Sequence, residues 1–218
     1  MKISVLQIFS SAKCSSGRHR DALLERSLPG AALLLESCAL VDASVAAAVE
    51  AAARNGRRVA CGPGCAVCCR QPIPVTPLEF LCMRAWLHLR GAAESRARLE
   101  AQLLTRIREE PSPLRRPCPF LLDGACAVYA VRPLACRRYL VLDRRCAPGE
   151  DCATDRPEDM LVPARRALRA ALALTFPWYA ARWRSLRLPR PPEAAPESEA
   201  AQAWLRSVTV PVQDLAWK

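Results

Sequence analysis

The residues best suited to chemistry are four cysteines gathered within nine residues, Cys61, Cys65, Cys68 and Cys69. Glycine and proline fill Gly62–Gly64 between the first two, so the backbone must turn sharply there. Spacings of two to four residues allow one loop to wrap a metal ion, and thiolate sulfur is a preferred ligand of zinc and of iron–sulfur clusters. The run predicts a metal-binding loop rather than unreactive cysteines of a hydrophobic core.

A second group of cysteines lies farther along the chain, at Cys118, Cys126 and Cys136, with its members eight and ten residues apart. Separate turns must therefore bring these thiols to the first run. Closing the long loop between Cys69 and Cys118 costs chain entropy, but the cost grows slowly with loop length. Structural metal binding contributes on the order of 10–16 kcal/mol to folding and can offset it.

The second group belongs to a longer sequence pattern. Its positions are Cys118-Pro119-Phe120-Leu121, Gly124, Cys126, Tyr129, Arg132-Pro133 and Cys136-Arg137. Together with the first run, this pattern resembles the YkgJ-type cysteine-cluster family, described as zinc- or iron-chelating proteins, over about residues 58–146. The resemblance implies metal binding more firmly than any activity. The ligands that it implies are Cys61, Cys65, Cys68, Cys69, Cys118, Cys126 and Cys136.

All-thiolate coordination suits either zinc or an iron–sulfur cluster. Histidine, another frequent zinc ligand, occurs only at His19 and His88, and neither is expected to bind metal. Adjacent Cys68 and Cys69 cannot easily point at one tetrahedral ion, and seven thiols exceed one four-coordinate site. We therefore favour an iron–sulfur cluster with additional cysteines, or a pair of sites, over a single zinc ion.

The remaining five of the twelve cysteines are less well supported as metal ligands. Cys146 and Cys152 lie just downstream of the pattern and match it less clearly. Cys14, Cys38 and Cys82 lie outside it and are expected not to bind metal; core packing is the default for Cys82, which falls in a predicted helix.

Three polar positions near the implied ligands have simple predicted roles. Arg132-Pro133 is expected to fix a turn, and Tyr129 is expected to pack. Arg137, next to Cys136, is expected to offset a thiolate charge by hydrogen bonding.

The sequence around the cysteines predicts helices bounded by glycine and proline. Thr76-Pro77-Leu78-Glu79 has the residues of an N-cap, a first-turn proline and a capping-box glutamate. The first predicted helix covers 20–57, with a break near Leu28-Pro29-Gly30 and an end at Asn55-Gly56. Further helices are predicted at 77–89, 92–110 and 163–183. A proline-rich linker at 189–196 and an amphipathic tail around 200–207 follow the last helix.

Composition limits the class of protein. The net charge is +11 and is carried almost entirely by arginine. Such a charge favours non-specific attraction to nucleic acid but does not specify a binding site. The short apolar start, Ile3–Phe9, does not resemble an export signal, and the apolar segment 31–49 carries Glu36 and Asp42, which disfavours a membrane span. We therefore expect a soluble cytoplasmic protein with reduced thiols rather than disulfides, and no membrane contact.

These observations predict a mainly α fold with a small, irregular, cysteine-rich core organised by metal and flanked by helices. The expected division is a helical segment at 1–57, a metal-binding domain at 58–152, and a helix with a proline-rich tail at 153–218. The leading function is a protein that holds an iron–sulfur cluster or zinc, with a redox or electron-transfer role and an unidentified redox or protein partner.

Two other functions remain open on the sequence. The first is a zinc-stabilised interaction module that binds nucleic acid or an acidic partner, with nucleic acid not favoured. The second is a cluster-dependent enzyme for methyl transfer or oxidoreduction, because a flagellin lysine methylase looks distantly similar in its cysteine cluster. No phosphate-binding loop or catalytic triad is recognisable, so no catalytic residue is assigned.

Overall fold

The computed structural model describes residues 21–62, 64–108 and 116–215. This part of the chain is mainly α, as predicted. Its helices are α1 (Ala22–Ser27), α2 (Ala31–Arg54), α3 (Pro77–Arg90), α4 (Ala93–Arg108), α5 (Leu134–Arg138), α6 (Cys152–Asp155), α7 (Arg165–Arg182) and α8 (Glu199–Ser207). Short 3-10 turns occur at Val67–Arg70, Tyr129–Val131, Pro157–Asp159 and Val212–Asp214.

Within the described residues, the strands form two antiparallel pairs, each of two-residue strands. In one pair, β1 (Pro74–Val75) lies beside β4 (Val210–Pro211). In the other, β2 (Leu121–Leu122) forms a hairpin with β3 (Ala125–Cys126). Both pairs therefore lie next to cysteine-rich sequence, where they join segments that would otherwise be irregular.

The long helix α2 is the centre of the hydrophobic core. Its residues Leu34, Val41 and Val45 are almost fully buried, and the helix contacts both α5 and α7. Burial of apolar side chains on one face is the main source of stability for such a helix. The Ser37 hydroxyl adds a polar link to α7 by donating a 2.7 Å hydrogen bond to the Ala171 carbonyl.

By length and composition alone, α2 could cross a membrane. The core helix of a soluble protein meets the same criterion, and here one face of α2 is buried within the chain. The expectation of no membrane contact stays a prediction.

Aromatic side chains join α7 to α8 and to the start of α3. Tyr179 is fully buried and makes edge-to-face contacts with Trp178 and Trp204. Its hydroxyl accepts a 2.9 Å hydrogen bond from the Leu78 backbone N–H, one of the donors left open at a helix N-terminus. The aromatic group therefore fixes the position of α3, which follows the first cysteine run.

The N-terminus of α3 is the capping box that the sequence predicted. The Thr76 hydroxyl accepts from the Glu79 N–H, and the Glu79 carboxylate accepts from the Thr76 N–H at 2.7 Å. Glu79 is only 4% exposed, which is unusual for a capping glutamate. Its second oxygen therefore needs a buried donor.

The C-terminal segment closes onto the cysteine region. After the predicted proline-rich stretch, α8 buries Ala201 and Leu205 and contacts α7. Beyond α8, the Val212 N–H donates to the Ile73 carbonyl at 2.8 Å, beside the β1–β4 pair. The segment thus covers the chain that leaves the first cysteine run.

The turn before α2 is predicted to be unusually sensitive to substitution. Gly30 has φ +101°, and a Cβ there would lie 2.5 Å from Trp178 Nε1, which donates to the Pro29 carbonyl. We expect Gly30→Ala to destabilise the protein by more than Gly56→Ala, measured by urea unfolding. Gly56 has φ +75° but open space around it, so Gly56→Ala should cost only the backbone strain, about 1–2 kcal/mol of unfolding free energy. Equal losses of stability from the two substitutions would show that Trp178 can move away from the added Cβ at no cost in free energy.

Candidate metal site

The first cysteine run is held against the segment that follows α5. Val59 bridges to Leu142, and the Ala60 N–H donates to the Val141 carbonyl at 2.8 Å. The Cys61 sulfur in turn accepts a 3.3 Å hydrogen bond from the Val141 N–H. Cys61 is thereby fixed at one edge of the site.

The remaining cysteines of this run lie on tight turns. The Cys65 N–H donates to the Gly62 carbonyl at 3.0 Å, which closes the glycine- and proline-containing loop. Cys68 and Cys69 lie in the 3-10 turn Val67–Arg70, and all four thiols of the run are half-buried.

A backbone hydrogen bond joins the two groups of cysteines. The Cys118 N–H donates to the Cys69 carbonyl at 2.6 Å. The sequence pattern predicted that the two groups come together, but it did not indicate which residues are in contact. Cys126 then lies on β3, paired with Leu121, and Cys136 lies in α5. A turn, a hairpin strand and a helix therefore each bring one cysteine of the second group toward the first.

The thiols of the second group interact electrostatically with the first run. The pKa of the Cys136 thiol is raised well above its ordinary value, first by burial and then by neighbouring cysteines. Those neighbours are Cys118, Cys126 and Cys68. Each thiolate disfavours ionisation of the others, so these sulfurs occupy one neighbourhood.

The first run forms a second neighbourhood that contains an additional cysteine. Burial raises the pKa of Cys61 to about 11, and the charges of Cys65, Cys68 and Cys146 act in the same direction. Cys146, which matches the sequence pattern less clearly, thus acts on the same thiol as two of the implied ligands. One sequence signal was present, since Cys146 follows Cys136 by ten residues, the same interval that separates Cys136 from Cys126.

Cys68 belongs to both neighbourhoods. It influences the pKa of Cys61 and Cys146 as well as that of Cys126 and Cys136. Its own pKa is raised first by a hydrogen bond with the Cys69 side chain and then by burial. The two adjacent thiols thus contact each other.

The loop that carries Cys146 is held by buried charge. Arg156 donates to Glu150 at 2.6 Å and to the Arg144 carbonyl at 3.2 Å. Glu150 also accepts from the Ala147 N–H at 2.7 Å, so the backbone on both sides of Cys146 is tied to one ion pair. The Arg156 hydrogen bond is the main reason that the pKa of Glu150 falls to about 2.

Arg137 was expected to offset a thiolate charge by hydrogen bonding, and the cysteine to which it is hydrogen-bonded is Cys38 of α2. Burial acts to lower the pKa of Arg137, but the charges of Cys38 and Asp42 and hydrogen bonds to both raise it above its usual value. Its guanidinium is almost completely buried and forms a 2.7 Å ion pair with Asp42 of α2, while its other donors reach backbone carbonyls. Arg132 is the nearer positive charge for Cys126. Burial raises the pKa of that thiol, and the Arg132 charge opposes the increase more than the Arg137 charge does.

Tyr129 was expected to pack, and that expectation is wrong. Its side chain is among the exposed large apolar groups, at 44% exposure. The Arg132 guanidinium lies over the ring at 3.9 Å from its centroid and donates to the Tyr129 carbonyl at 3.0 Å. Instead of filling the core, the ring supports an arginine beside the thiols.

The other cysteines are buried in helices or lie outside the described residues, and one of them, Cys152, is still influenced by the charge of Cys146. Cys82 is fully buried in α3, as expected from its helix, and Cys38 is buried in α2; burial raises their pKa values to about 12 and about 11. Cys152 is buried in α6 and its thiol donates to the Arg156 carbonyl. Cys14 and His19 lie outside the described residues, and His88 lies on α3.

The donor chemistry fits a soft or borderline metal, although the side chains do not converge on one point. In the described part of the chain, the cysteines are not joined in disulfides. Among the same residues, no three histidine, cysteine, aspartate or glutamate side chains are arranged so as to hold an ion. The thiols would have to close around a metal as it binds, as in sites where binding organises the fold.

No family model, curated protein or solved structure matches this chain. The resemblance to the YkgJ-type family therefore stays a prediction that rests on the cysteine pattern itself. The geometry described above provides the independent grounds for a functional proposal.

Proposed function

We propose that this chain is a cysteine-ligated metal-binding protein of the YkgJ type, holding an iron–sulfur cluster or zinc in a reducing, cytoplasmic setting. The observation that carries the proposal is the junction of the two cysteine groups by the hydrogen bond between Cys118 and Cys69. In addition, the charges of thiols from five separate segments act on one another in two groups that share Cys68.

The residues that would hold the group are the seven cysteines implied by the sequence pattern, with Cys146 added by the structure. An iron–sulfur cluster would supply one-electron transfer, and the number of thiols favours it over a single zinc ion. The chain itself contributes half-buried sulfurs, backbone N–H groups such as that of Val141 aimed at sulfur, and the nearby positive charge of Arg132. Such hydrogen bonds and charges tune the potential of a bound cluster.

One observation favours a second candidate, the zinc-stabilised interaction module. Exposed arginines lie next to two cysteine-bearing segments: Arg58 and Arg70 flank the first run, and Arg145 precedes Cys146. Positive charge in that position would attract an acidic partner, either a redox protein or a nucleic acid. A steep salt dependence of nucleic-acid binding would favour the module. The enzyme alternative has no supporting geometry among the described residues and stays a sequence prediction.

The test is anaerobic purification of the full chain followed by analysis for iron, acid-labile sulfide and zinc. We expect iron and sulfide in equal amounts with a brown colour and broad visible absorption, or stoichiometric zinc without colour. The same chain should be reloaded with ferrous iron and sulfide, or with zinc alone. A reduced, folded chain that takes up neither would contradict the proposal.

A further inference from the structure

The buried side chains between α2, α3 and α5 form a polar group that the proposed ligand set leaves unexplained. The group consists of Asp42, Glu79 and Arg137, and both Glu79 and Arg137 are less than 5% exposed. Buried charges are costly unless they are paired and hydrogen-bonded, so each needs a structural reason. None of the three is among the proposed cysteine ligands.

Arg137 uses its three guanidinium nitrogens on three separate acceptors. Nη1 donates to Asp42 at 2.7 Å, Nη2 to the Ala130 carbonyl at 2.5 Å, and Nε to the Arg132 carbonyl at 3.0 Å. Two of these acceptors lie in the loop that joins Cys126 to Cys136. The guanidinium therefore ties this inter-cysteine loop to α2.

Glu79 acts on the same loop from the other side. One carboxylate oxygen accepts from Thr76 in the capping box, and the other accepts a 2.8 Å hydrogen bond from the Leu134 N–H, at the first residue of α5. Because α5 carries Cys136, the carboxylate fixes the start of the helix on which a proposed ligand lies.

We propose that Arg137, with Asp42 and Glu79, is a buried clamp that positions the Cys126 and Cys136 side of the metal site. The inference rests on the proposed function. The clamp fixes the backbone of residues 130–134, which sets the direction of Cys136 and places Arg132 beside the thiols. Lysine cannot replace Arg137, because its donors share one nitrogen and cannot reach three acceptors in a fork geometry.

The test is a titration of the reduced, metal-free full chain with Co²⁺ alone, followed by the visible absorption of the thiolate complex. Loss of outer-sphere hydrogen bonds typically lowers metal affinity by 10- to 100-fold. We expect Arg137→Lys to weaken Co²⁺ binding by about that factor and to alter the spectrum at saturation. Asp42→Asn should change affinity in the same direction by a smaller factor, and it decides the question if Arg137→Lys does not fold.

The matched stability control is Leu205→Ala in α8, which removes a fully buried side chain outside the clamp. It should lower thermal stability and leave the Co²⁺ affinity and spectrum unchanged. Clamp variants that bind Co²⁺ no differently from this control would overturn the inference while leaving the proposed function intact. A wild-type chain that binds no Co²⁺ would overturn both.

Discussion

Removal of the metal is expected to collapse the thermal stability of this protein and to expose the thiols of residues 58–75 and 117–152 to alkylation. In the described residues, regular structure in these two segments is limited to two-residue strands, 3-10 turns and the short helix α5. Binding free energy in structural zinc sites, on the order of 10–16 kcal/mol, counts directly as folding free energy. The measurement is thermal unfolding of the metal-loaded and chelated full chain, with alkylated cysteines located by mass spectrometry.

The helical core provides an internal control for that experiment. Cys38 and Cys82 are buried among α2 and α3 rather than in the cysteine loops, so their alkylation should remain slower than that of Cys61 or Cys65. Readdition of metal should restore stability and protection together. Metal-free protein that keeps its full thermal stability and its thiol protection would contradict the role given to metal in folding.

Elements with local signals were predictable from the sequence. The capping box at Thr76 and Glu79 formed as predicted, because all of its hydrogen bonds lie within one turn. The predicted break near Gly30 and the predicted end at Asn55 likewise coincide with the two ends of α2. The mainly α class follows from such signals, which depend on a few neighbouring residues.

Features that depend on distant residues were not predictable in the same way. The ion pair between Arg137 and Asp42 joins positions 95 residues apart, and nothing local to Arg137 indicates that its guanidinium pairs with α2. The exposure of the Tyr129 side chain could not be predicted for the same reason, since it depends on how the hairpin and α5 pack. The position of Cys146 near the first cysteine run depends on a distant contact in the same way, because the Val141 N–H donates to Cys61 and the loop that carries Cys146 follows Val141.

The cysteines themselves should differ in what their replacement removes. Cys136→Ser is expected to lower the metal bound per chain, because the charges of Cys118, Cys126 and Cys68 all act on the Cys136 thiol and a serine oxygen is a poor ligand for a thiophilic metal. Cys146→Ser should also lower it if the neighbourhood around Cys61 binds metal. Metal analysis of the purified variants, normalised to folded protein by circular dichroism, measures both effects.

Cys82→Ser is the matched control, since it makes the same chemical change in a fully buried cysteine of α3 that faces the helical core. A hydroxyl placed in that apolar environment should destabilise the protein by about 1–3 kcal/mol without reducing its metal content. The difference between the variants therefore separates loss of a ligand from loss of stability. Equal metal losses from Cys82→Ser and Cys136→Ser would mean that the metal is lost through general destabilisation, and the proposed ligand set would have to be abandoned.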